Sequence, residues 1–214
     1  MNLRFKAFIQ KKRPARPANP SRKGQSLVEI AIAFPFMLML LSGMLEFGFM
    51  LNHYIALTDS TRETARVFSN FDPFNEDGTD NIADFYANAA GYLVANLEPQ
   101  FAEDTSRRII LDSARDDVVI SVFSIHNNSV TRFPDSLGGQ YQWFGNLDSR
   151  FSDEEIESRL IADAPDTGIL LVEVFYNYDQ VLALPWITAF LPDPVTLHAY
   201  TIMPLSAAEP TPTP

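Results

Sequence analysis

The sequence predicts an α+β protein: a long N-terminal transmembrane helix that extends into a small domain with an antiparallel sheet. Three observations predict it. The 25 residues from Leu27 to Leu51 are mostly apolar, with Ile30–Leu45 free of charge throughout. Residues 52–70 carry the helical pattern onward without a break. Beyond them, β-branched and aromatic runs alternate with clusters of Gly, Pro, Asn and Asp, the pattern of short strands joined by turns.

The totals fit this plan. A chain of 214 residues accommodates one domain of about 150 residues plus an anchor and tails. Its net charge of −11 conceals an asymmetry. Residues 1–24 hold eight basic residues and no acid; the rest hold eight arginines against 27 acids, a formal −19. Every Lys lies at or before Lys23. A domain so acidic is not a nucleic-acid binder, since phosphate contact needs a basic face. Cysteine is absent, which excludes thiol catalysis, disulfides and thiolate metal sites.

The expected organisation follows in order. Residues 1–24 are a basic leader that Pro14, Pro17 and Pro20 prevent from forming one helix. Residues 25–51 are the transmembrane helix. As helix, Leu27–Leu51 spans about 37 Å, enough for a hydrocarbon core of about 30 Å. A buried soluble helix is the alternative, because the uncharged stretch alone is slightly short. Pro35 is expected to bend the helix, which lipid-embedded helices tolerate. The basic flank places the N-terminus in the cytoplasm and residues 52–214 outside, by the positive-inside rule. A cleaved secretory signal competes, but no small-x-small site follows the apolar core.

Residues 52–70 extend the helix. Asp59, Arg62, Glu63 and Arg66 share a polar face, with Asp59–Arg62 and Glu63–Arg66 spaced to pair at i,i+3. Tyr54, Leu57, Thr61, Ala65 and Phe68 form the opposite stripe, against which another helix or the domain packs. Residues 71–206 make the extracytoplasmic α+β domain. Within it, 71–81 is a loop, Asp80 caps a helix over 81–97, and 108–112 and 118–125 are strands. Residues 137–146 are loop, and Ser152 with Glu155 forms a capping box for a helix near 153–163. The strongest strand is 168–178, and 195–203 is the last. The tail 207–214 is Pro/Thr-rich and expected to be disordered.

The junction K-G-Q-S-L-V-E carries the most information. The run from Lys23 to Ser69, with E-F-G at 46–48 and A-L-T, R-E and A-R between 56 and 66, resembles the N-terminal signature of TadE-like proteins. These are pseudopilins of the tight-adherence (Flp, type IVb-like) pilus system. The C-terminal TLHAYTIMPL is more loosely similar to that group. The resemblance implies a pilin-like domain and a minor pseudopilin processed by a prepilin peptidase, with cleavage between Gly24 and Gln25. Glu29 then becomes the fifth mature residue, within reach of an α-amino group of its own chain or a neighbour's. Such pairing offsets charges that lipid makes costly. Ile30 departs mildly from the aromatic residue many pilins carry there. Without processing, Gly24 only begins a helix and Glu29 reaches the interface.

Helix packing is assigned to Glu46, Asp59, Arg62 and Arg66. Glu46 is either a polar contact to another pseudopilin's helix or an acid at the outer headgroup boundary. The implied partners are the prepilin peptidase, other pilins and pseudopilins, inner-membrane platform proteins and membrane lipid. The implied location is the cytoplasmic (inner) membrane, with association with the pilus as a further expectation. Two further readings stand beside this one: a pseudopilin of type II secretion or another type IV filament, and an unprocessed single-pass binding protein.

Catalysis finds little support. His53, His126 and His198 are scattered, and no G-x-S-x-G or H-E-x-x-H motif occurs. Asp116 and Asp117 are adjacent, so on a strand they point to opposite faces. The acids between Asp72 and Asp84 are numerous enough for calcium, but their spacing fails the EF-hand pattern. A solvated turn is the plain alternative. No cofactor and no metal is expected.

Overall fold

A computed structural model of the chain describes residues 21–98, 109–160 and 165–210. The basic leader up to residue 20, the start of the expected strand at 108, the end of the expected helix at 161–163 and the last tail residues, 211–214, lie outside the described residues. The chain divides into two compact units, Met1–Leu41 and Ser42–Pro214.

Helix α1, Ser21–Phe68, contributes to both units. In the first unit every described side chain from Gly24 to Leu41 is exposed. These are Leu, Ile, Phe and Met side chains, among them Leu40 at 70%. An apolar helix with no protein cover satisfies its backbone internally, as a membrane span requires.

The second unit is an α+β domain built on an antiparallel sheet. Its strands are β1 (Asp117–His126), β2 (Ser129–Phe133), β3 (Tyr141–Gln142), β4 (Thr167–Tyr178) and β5 (Val195–Pro204). Their order is β2-β1-β4-β5, with β3 paired to β1 beyond the end of β2. All pairings are antiparallel. β4 sits between β1 and β5 and is covered on both faces, which explains why it reads as a nearly continuous apolar run instead of an alternation. The α+β fold with an antiparallel sheet is therefore as the sequence predicts.

One face of the sheet, through Val118, Ile120, Val122, Leu170, Val172 and Val174, packs on the domain part of α1 and on the helix that follows. Along α1 beyond Glu46 the buried positions are Leu57, Ser60, Thr61, Thr64, Ala65 and Phe68, which lie on one helix face. Tyr54, assigned to that stripe, is 43% exposed. The opposite sheet face is covered by Phe151 and Ile156, packed on Phe123, Ile125 and Leu171.

Several local expectations are corrected. Asn81, not Asp80, caps the second helical segment, its side chain accepting from the Asp84 N–H. Asp80 instead accepts from the backbone N–H and hydroxyl of Ser136. The segment opens with a π turn, Ile82–Ala87, before α2, Asn88–Leu97. Residues 109–112 form no strand; Ile109 and Leu111 are buried while Ile110 is exposed, an alternation without a partner strand. The 137–146 loop contains the two-residue β3. Ser152 does cap α3, accepting from the Glu155 N–H, but α3 ends at Ser158. The tail is structured further than expected: a 3-10 turn, Ser206–Ala208, buries Ala208 against the core.

Candidate functional site

The first unit carries the expected processing segment. Gly24 and Gln25 lie within the first turns of α1, and both are exposed. No atom lies within 4 Å of where a Gly24 Cβ would be. The Gln25 amide donates to Glu29 Oε1 at 3.3 Å, one turn along the same face. Glu29 thus stands beside the Gln25 side chain on the helix surface.

The second unit holds a different carboxylate site. Glu46 is 3% exposed and has three donors. The Tyr178 hydroxyl donates to it at 2.7 Å, the Val181 N–H at 2.9 Å and the Leu182 N–H at 2.8 Å. Glu46 therefore finds its partners within its own chain, at the turn that leaves β4. Three donors from its own chain satisfy the buried carboxylate. Burial, together with the Glu46 carboxylate, raises the Tyr178 hydroxyl above the ordinary tyrosine range, so it stays a donor. His53, seven residues further along the same helix face, stacks on Tyr176 and meets Tyr178 edge-on.

Asp59, Arg62, Glu63 and Arg66 lie on the outer face of α1, away from the core. Arg62 pairs with Asp59 at 3.9 Å, and Arg66 makes two bonds to Glu63 at 2.6 and 2.8 Å. The inner face is held by small polar residues instead. Thr61 bonds Thr201 of β5 at 3.0 Å, and Ser60 donates to the Leu93 carbonyl of α2 at 3.1 Å. Sequence reasoning placed Thr61 on the inner stripe but did not foresee these polar links.

Three buried acids were not recognised as structural from the sequence. Asp117 accepts from the N–H groups of Phe144, Asn146 and Leu147, fastening the loop after β3. Asp116, pointing the other way, accepts from the Asp112 and Asn177 N–H groups. Glu173, fully buried on β4, accepts from the Ser149 hydroxyl and the Arg150 N–H and contacts His198 at 2.9 Å. That trio contains the residue types of a hydrolytic triad in the wrong order. Ser149 bonds the carboxylate and not the imidazole, so the Ser–His contact of such a triad is not made. His198 is instead clamped, stacked on Phe175 and Tyr200.

Two acids of the 72–84 loop make separate local bonds. Asp72 accepts from the Phe74 N–H and Asp77 from Thr79, which holds Asp77 below the usual carboxylate range. No cluster of three or more acidic or His side chains suited to a metal occurs among the described residues.

Comparison with known proteins bears on the helix. Residues 24–66 match the family model described as TadE-like protein. Searches of curated proteins and of solved structures returned no match. The match begins at Gly24 and ends at Arg66, within α1, the helix long and apolar enough to cross a membrane. Over residues 24–66 the chain carries the TadE-like pattern, as its resemblance to that family implied.

Proposed function

We propose that the protein is a minor pseudopilin of a tight-adherence pilus, cut by a prepilin peptidase between Gly24 and Gln25. Residues 1–24 are the leader, 25–51 the membrane span, and 52–70 the extension that carries the domain. The N-terminus lies in the cytoplasm and the domain outside the inner membrane. After cleavage Glu29 pairs with an α-amino group, and the helix serves as both anchor and assembly surface. Other pseudopilins and a membrane platform protein are its partners, and the role is structural.

One observation carries this reading: the TadE-like match opens at Gly24, directly after the last Lys of a basic leader, with Glu29 one turn into an apolar helix beside Gln25. The size of the acidic domain favours a minor subunit over a major pilin, which in such systems resembles a much shorter chain.

The test is the protein's mass in cells with and without the prepilin peptidase. The leader is 24 of 214 residues in a 24.1 kDa chain, so processing removes about 2.7 kDa. Loss of that mass only when the peptidase is present supports the reading. A chain of full mass in both cells, or one shortened to a start near residue 50, overturns it. Co-purification with a tight-adherence rather than a type II secretion motor assigns the system.

A further inference from the structure

The connection from β4 to β5 is unusual for an acidic domain. Residues 180–192, QVLALPWITAFLP, contain no charge, although Asp179 and Asp193 flank them. Four of their large side chains face outward: Phe190 is 83% exposed, Val181 58%, Leu191 44% and Trp186 37%, while Ile187 is buried. Within it lies α4, the short helix Pro185–Thr188.

This loop is fastened to α1 at two levels. The Trp186 indole N–H donates to Ser42 Oγ at 3.0 Å, and Glu46 takes the N–H groups of Val181 and Leu182. Ser42 precedes the end of the apolar run at Leu51 by nine residues, about 13 Å along a helix. Around it Met44, Leu45 and Phe47 are also exposed, at 74, 50 and 57%. The loop therefore sits beside the part of α1 that the sequence assigns to lipid.

We propose that residues 180–192 are a second membrane-embedded element, which enters the leaflet nearer the domain alongside α1, with Phe190, Val181 and Leu191 in lipid and Trp186 at its polar boundary. This rests on the reading of α1 as a membrane anchor. Irregular backbone enters lipid only where its polar groups are satisfied. Here most are. Asp193 takes the Gln180 N–H, Glu46 takes the next two, and every N–H from Ile187 to Leu191 donates within the α4 turn. Pro185 and Pro192 have no N–H to satisfy. A Trp at the boundary and large apolar groups beyond it are the arrangement that membrane interfaces favour.

The proposal also explains Glu46. A carboxylate at this level of a spanning helix is costly in lipid unless protein donors surround it. The loop supplies two of its three donors while covering it, so the apolar run continues past Glu46 to Leu51. Lipid is preferred to a second subunit as the occupant because the exposed apolar surface belongs to both loop and helix at one level.

The absence of cysteine makes the test direct. Spin labels are placed by Phe190→Cys, Leu40→Cys and Arg62→Cys in the full chain, reconstituted in lipid nanodiscs. Accessibility to oxygen is compared with accessibility to a water-soluble nickel complex. The expected result is a several-fold higher oxygen-to-nickel ratio at positions 190 and 40 than at 62. An aqueous label at 190 with a lipid label at 40 overturns the loop's insertion and leaves the anchor standing. Aqueous labels at both overturn both. A label at 190 shielded from oxygen and nickel alike means a protein partner covers the loop, which also overturns the proposal. Trp143→Phe leaves Trp186 as the sole indole and gives an independent reading. Quenching by brominated lipid but not by iodide supports insertion; the reverse overturns it.

Discussion

Tyr178 and Glu46 stand 132 positions apart, and the Tyr178 hydroxyl donates to the Glu46 carboxylate at 2.7 Å in a buried site. One residue belongs to the helix and the other ends the central strand. Their bond, with two backbone N–H groups from the following turn, joins the domain's sheet to α1.

Removing the carboxylate orphans all three donors. Glu46→Ala is expected to destabilise the protein by about 2–4 kcal/mol, since each buried unpaired group costs roughly 1–3 kcal/mol and part is regained from water. Tyr178→Phe removes one neutral donor from an acceptor that keeps two others, and costs about 1 kcal/mol. Denaturant unfolding of the detergent-solubilised chain checks the order; equal effects would contradict the three-donor arrangement.

Gly168 is required by a close approach. A Cβ there would stand 2.0 Å from the Leu205 carbonyl oxygen and 2.7 Å from the Ala208 backbone. Leu205 N–H also donates to the Gly168 carbonyl at 2.8 Å, so the chain cannot back away without losing that bond. Gly168→Ala is expected to cost about 2–4 kcal/mol and to release the 206–208 turn. Hydrogen exchange at Leu205 and Ala208 reads this directly.

Asp117 holds the loop after β3 by three N–H donors while itself fully buried. Asp117→Ala leaves those donors without an acceptor and is expected to cost about 3–5 kcal/mol. Loss of the Trp143 near-UV signal at a lower denaturant concentration than in the parent protein is the measurement.

Acid should weaken the domain through a surface cluster. Arg115 bonds both Asp112 and Asp179. Asp179 is held below the usual carboxylate range chiefly by Arg115, and Asp112 by the Ala114 N–H and then Arg115. Both groups have folded pKa values below their unfolded ones. Their contribution is therefore complete above the unfolded value, near pH 4, and is lost as pH falls through the folded values. The melting difference between the parent and Arg115→Gln should be constant from pH 5 to 8 and shrink below about pH 4. A difference that persists unchanged at pH 2 refutes the pairing.

For the helix, Glu29→Gln separates processing from assembly. The leader should still be removed, while co-purification with other pilus proteins falls. If mass and association are both unchanged, Glu29 has no pairing role.

Much of this was legible beforehand because it depends on local pattern. The apolar run, the basic leader and the outer stripe of Asp59, Arg62, Glu63 and Arg66 follow from composition and spacing. β4 was found because burial on both faces leaves a continuous run of strand-forming residues. β2 was missed although a signal existed. Asn127 and Asn128 both adopt positive φ, 49° and 63°, in the tight turn that pairs His126 with Ser129. Asn-Asn between two strand-like runs is one of the pairs that tolerate that turn. The cap at Asn81 was misassigned to its neighbour because two adjacent capping residues look alike until the chain's path selects one.

The sequence by itself determined a basic N-terminal segment, an apolar helix, its TadE-like pattern and an α+β domain after it, since each rests on residue type and short-range spacing. Tertiary structure alone decided what the acids do. Glu46, Asp117 and Glu173 read in sequence as charges in search of water, a neighbour or a function. Their burial follows from donors supplied by segments far along the chain, and no local pattern records which backbone N–H groups a fold will bring to a carboxylate.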